Sequence, residues 1–153
     1  MNKDNRIKNY TTVVPAARTQ NEIETTLVAM GAGKVMKEYN GMRKVEAYTF
    51  EYQARAYRLP ADVERAITIL KDIPEFQRKT REEQEKQAER VMWRILKDWL
   101  DGQIALMRIG QVQLDQVMLP YMWNGKYSLY DRLKQSSFEL QASVGPDTRG
   151  EEE

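Results

Sequence analysis

Histidine and cysteine are both absent from the 153 residues. Their absence closes Ser-His-Asp and Cys-His nucleophile systems, which need an imidazole base. Zinc sites, built mainly from Cys and His, and thiol redox chemistry are closed with them. No apolar run approaches the length that crosses a bilayer, and the polar start from Met1 to Lys8 lacks the apolar segment of a secretory signal. A cytoplasmic protein with no membrane partner is the expectation. Charge of one sign is also missing: the formal net charge is +1, and removing the three C-terminal glutamates leaves +4, far from the footprint of a dedicated nucleic-acid binder.

What remains for chemistry is Asp, Glu, Lys, Arg, Tyr, Ser and Thr on a chain long enough for one self-sufficient core. The composition predicts a flexible N-terminus over 1–8, a single α+β domain over 9–136 and a mostly disordered, acidic-ended tail over 137–153.

Along the chain, Asn9 to Val14 is rich in β-branched and aromatic residues and stops at Pro15, which reads as a short edge strand. Thr19 and Glu22 have capping-box spacing, Ile23, Leu27 and Met30 recur with helical period, and Gly31 sits where a C-terminal cap belongs. A helix over Gln20 to Met30 follows. From Lys34 to Leu59 polar and apolar residues alternate around Asn40-Gly41, a hairpin signal. A three-residue, bulged loop is favoured because it sets Glu38 opposite Lys44, whereas a plain two-residue loop sets Lys37 there. The remaining run is too long for one strand, so a turn falls near Glu51 to Ala54. About four strands result.

Pro60 reads as the first residue of a helix whose buried side is Val63, Ile67 and Leu70, with Pro74 ending it. Thr80 and Glu83 open the longest helical pattern, near 81–109. Its apolar positions, Ala88, Val91, Met92, Ile95, Leu96, Trp99, Leu100, Leu106 and Met107, cover more than half the circumference, so it is central, and either the monomer or a second subunit covers it. Gln113 to Met118 and Leu129 to Lys134, the latter opened by Ser128 and Asp131, read as short helices. The sum is a small antiparallel sheet covered by helices.

Tyr10-Thr11-Thr12, Glu22-Ile23-Glu24 with Leu27, Gly31-Ala32, Val45 to Phe50, Arg58-Leu59-Pro60-Ala61, Gln87 to Arg94 and Leu119-Pro120-Tyr121-Met122 together resemble small proteins encoded by phages and prophages. The resemblance spans Tyr10 to Leu133. It implies a phage or mobile-element origin and brings no catalytic residue and no cofactor.

Several clusters compete for a role. Gly31-Ala32-Gly33-Lys34 looks like a phosphate loop, but Val28 and Val35 stand where the pattern needs Gly and Ser/Thr, and the loop leaves a helix for a strand, so it reads as a helix cap. Asp98 and Asp101 could share Mg²⁺, yet each follows a cation by four residues, Arg94 and Lys97. Tyr48, Phe50 and Tyr52 share one strand face and serve either core packing or base stacking. Arg90, Arg94, Lys97 and Arg108 align on the polar side of the long helix, where they could meet phosphates or an acidic surface, or simply stay solvated. Finally, Tyr121, Trp123, Lys126, Tyr127 and Arg132 gather around an Asn124-Gly125 turn, and loops rich in Trp, Tyr and Arg make binding hot spots when they are not core.

No catalytic set and no metal or cofactor site stands out. The favoured expectation is a non-enzymatic protein binding a host or phage protein, either a defence factor or a replication or recombination complex. Single-stranded nucleic-acid binding and a Mg²⁺-dependent carboxylate enzyme are the alternatives.

Overall fold

The computed structural model describes residues 6–138; residues 1–5 and 139–153, with most of the expected tail, lie outside them. In chain order the elements are α1 (Ala16–Ala29), β1 (Lys34–Tyr39), β2 (Val45–Tyr52), β3 (Arg55–Pro60), α2 (Val63–Leu70), α3 (Pro74–Gln77), α4 (Arg81–Arg108), α5 (Leu114–Met118), a 3-10 turn at Leu119–Tyr121 and α6 (Leu129–Gln135). The expected α+β class holds, with an antiparallel sheet of order β1-β2-β3. Among the described residues the sheet has three strands, one fewer than expected.

The missing strand is the one read over Asn9 to Val14. Asn9 turns the chain with φ of 62°, and the Gln87 side-chain amide donates to the carbonyls of Tyr10 (3.1 Å) and Thr12 (2.9 Å). A side chain from α4 thus takes the acceptors that a sheet neighbour would have used. Ile7 and Tyr10 pack beside α2 and α4, and Lys8 pairs with Asp98 at 3.0 Å.

Helix α1 starts four residues earlier than its capping-box signal, at Ala16 behind Pro15, and Thr19 is buried inside it rather than capping it. Its end follows the expectation. Gly31 (φ 104°) donates to Val28 O while Ala32 donates to Leu27 O, a Schellman motif, so the Gly31 to Lys34 segment is a cap leading into β1.

The hairpin loop is Gly41 to Arg43, closed by Asn40 N–H to Lys44 O (2.9 Å). Arg43, not Asn40 or Gly41, takes the positive φ (60°), while Asn40 Oδ1 accepts from the N–H groups of Met42 and Lys44. A register shift then places Glu38 opposite Ala47, not opposite Lys44 as expected. The turn expected near Glu51 to Ala54 is present as a two-residue connection, Gln53-Ala54, with Tyr52 opposite Arg55. Pro60 ends β3 opposite Ala47 instead of opening a helix. Asp62 caps α2 by accepting from Arg65 N–H (3.1 Å), and Pro74 opens α3 rather than ending α2. Proline suits each place because neither position asks it for an N–H.

Helix α4 has both halves of its Thr80/Glu83 capping box and ties two cores together. Ala88 and Val91 pack with Ala66, Ile67, Leu70, Ile73 and Phe76 from the α2–α3 side. Trp93 and Leu100 pack with Ile23 and Leu27 of α1 and with Tyr48, Phe50 and Tyr57 of the sheet. Met92, Leu96, Trp99 and Met107 border the second cluster, so much of the wide apolar face is covered within the chain. Tyr48 meets Trp93 edge-on at 5.6 Å and donates to Gln20 O at 3.0 Å. Burial pushes its phenol well above the ordinary value, with Glu24 and Tyr39 adding to the effect. No helix among the described residues is long and apolar enough to cross a membrane.

Candidate functional site

On β3 the side chains alternate, as strands require. Tyr57 and Leu59 are fully buried against the helices, which turns Arg58 and Pro60 to the other face of the sheet. That face carries a polar relay. Glu38 accepts from the Thr49 hydroxyl (2.8 Å) and from Arg58 Nε (2.8 Å), and Glu46 lies 3.9 Å from the same guanidinium. Arg58 is left only 22% exposed, with its plane 5.0 Å from the centre of the Trp123 ring, a cation–π contact.

Trp123 arrives there because the chain after the 3-10 turn runs along the free edge of β3. Met122 bridges Tyr57, Trp123 N–H donates to Ala56 O (2.8 Å), and Trp123 bridges Ser128. Between them Asn124 Oδ1 accepts from the N–H groups of Lys126 (2.9 Å) and Tyr127 (2.7 Å), and Gly125 takes φ of 97°, which glycine adopts at little cost. Ser128 and Asp131 then cap α6 reciprocally. The result is a cleft of about 370 Å³ between β3 and the start of α6. Arg58 and Pro60 form one wall; Pro120, Tyr121 and Trp123 form the base; Ser128, Tyr130 and Asp131 close the far side. Tyr121 is braced edge-on by Trp99 at 5.8 Å. Tyr130, beside Phe138, is 49% exposed.

Of the loop residues singled out from the sequence, Tyr121 and Trp123 line this cleft. Lys126 and Tyr127 sit at the turn tip, with the ammonium 5.2 Å from the Tyr127 ring centre. Arg132 is exposed on α6 outside the cleft lining. Sequence reasoning missed Arg58, Pro60, Pro120 and Asp131. The signal for Arg58 was its place between Tyr57 and Leu59, which marks it as outward-facing, but what lies beyond a strand edge is not written in the strand.

The other clusters are spent on structure. Arg94 pairs with Glu22 (3.1 Å) and Asp98 (3.8 Å), Lys97 with Asp101 (2.6 Å), and Arg90 donates to Gln87. Lys97 is only 12% exposed, while Arg108 lies exposed in the last turn of α4. Asp98 also accepts from the Asn9 amide (2.9 Å). That bond and Lys8 hold its carboxyl below the ordinary value. Tyr48 and Phe50 are buried and offer no platform to bases. Among the described residues no three Asp or Glu side chains are grouped to hold a metal ion. Compared with known proteins, the chain matches no family model, no curated protein and no solved structure.

Proposed function

We propose that this chain is a non-enzymatic binding protein that attaches to a protein partner through the cleft between β3 and α6. The observation that carries the reading is the fixed Trp123 ring, held by the Ala56 carbonyl on its backbone and by Arg58 over its face, beside the unspent aromatics Tyr121 and Tyr130. Rigid aromatic rings around a small cleft are the usual anchors of a protein interface, because they bring contact area at little entropic cost. The cations that nucleic-acid binding would draw on, Arg94 and Lys97, are already paired with carboxylates, which favours protein over phosphate backbone. In the phage or mobile-element setting that the resemblance implies, the partner is a host defence factor or a replication or recombination complex.

Tyr130→Ala is the cleanest test because the side chain is half exposed and joins no buried cluster. Immobilised wild-type protein should retain from host lysate a protein that the variant loses by about tenfold or more, with the melting temperature unchanged. Equal retention by both forms would contradict the reading.

A further inference from the structure

Resting on that protein-binding reading, the chemistry of the cleft narrows the occupant: we infer that it is an extended, proline-bearing segment flanked by a basic residue. Three observations converge. The first is unspent donors. Tyrosine hydroxyls donate or accept within the chain at Tyr10, Tyr48 and Tyr52, whereas those of Tyr121 and Tyr130, and the Trp123 indole N–H, make no hydrogen bond among the described residues. Donors set around apolar rings suit an occupant that offers apolar surface together with bare carbonyl oxygens. A polyproline II segment is that occupant, since it has no internal hydrogen bonds and its carbonyls point outward.

The second is charge. The one cation in the cleft, Arg58, is satisfied by Glu38 at 2.8 Å and faces Glu46 at 3.9 Å, while Asp131 on the opposite wall forms no ion pair among the described residues. Taken together these groups are net negative, which repels a phosphate and complements a lysine or arginine beside the prolines. The third is size and rigidity. A hollow of about 370 Å³ takes one or two small rings rather than a helix, and its walls are set by the β3 edge and two prolines. A segment already stiff in the free state loses little entropy on entering such a fixed site.

The test is a titration of the ¹⁵N-labelled full chain with synthetic decapeptides, read at the indole N–H resonance of Trp123, which is assigned by its loss in Trp123→Phe. The first peptide alternates proline and leucine and ends in arginine; the second has alanine for proline; the third has glutamate for arginine. A saturable shift is expected with the first, binding at least about tenfold weaker with the second, and weaker binding with the third. Asp131→Asn should erase the difference between first and third. No saturable shift, or an equal response to the alanine peptide, overturns the inference. If partner capture depends on Tyr130 while the proline peptide leaves Trp123 unmoved, the inference falls and the proposed function stands. If a labelled oligonucleotide moves this resonance and no peptide does, both fall.

Discussion

Two side chains deep in the α4 packing show how single residues set the stability of this domain. Asp98 joins the N-terminal segment to α4 through Asn9 and Lys8, and these partners, the Asn9 bond foremost, lower its pKa below the ordinary carboxylate value of 3.8. A depressed carboxylate contributes stability that is fully present above its unfolded pKa and is lost as the pH falls through its folded pKa. Asp98→Asn should therefore lower the urea midpoint at pH 6, and the gap to wild type should close as the pH is taken below 3.8. A gap independent of pH would show that the ion pair is irrelevant. Tyr57 is different: its ring stacks on Phe50 at 5.5 Å, but its buried hydroxyl has no partner. A buried polar group without a hydrogen bond costs about 1–3 kcal/mol, so Tyr57→Phe should be neutral or stabilising in chemical denaturation. A clear destabilisation would reveal a bond to that hydroxyl.

At the scale of elements, the turn between β2 and β3 carries the clearest strain. Gln53 (φ 48°) and Ala54 (φ 62°) both occupy the left-handed region, the pair that a type I′ turn requires and that Asn-Gly fills best. A non-glycine residue there costs roughly 1–2 kcal/mol, so replacing Gln53-Ala54 by Asn-Gly should raise the melting temperature by a few degrees. No rise would mean that the pair gains compensating contacts. This turn was legible from strand length alone, just as α4, the Gly31 cap and the α6 capping box were legible from local spacing. Readings failed where a distant group competed with a local signal. Gln87 took the carbonyls of the N-terminal segment, tertiary packing drew Thr19 into α1, and the shift after Glu38 moved the hairpin register. Trp93, fully buried against Tyr48, was absent from the apolar wheel of α4 because the stripe facing α2 and the stripe facing the sheet lie side by side. The cleft was half legible for the same reason. Tyr121 and Trp123 announced themselves as an aromatic loop, but Arg58 joins them only across the sheet edge.

For the whole molecule, the arrangement separates stability from recognition. One helix joins both cores and spends its charges on carboxylates, while the opposite sheet face and the segment after the 3-10 turn leave an aromatic cleft outside either core. The account's central claim is that partners meet this cleft and not the polar side of α4. The direct measurement is photo-crosslinking in host lysate from a benzoyl-phenylalanine placed at position 130 and, separately, at position 90. A discrete adduct from position 130 that resists nuclease and is removed by protease, with none from position 90, is the predicted result. No adduct from position 130, or a nuclease-sensitive adduct from position 90, would contradict it.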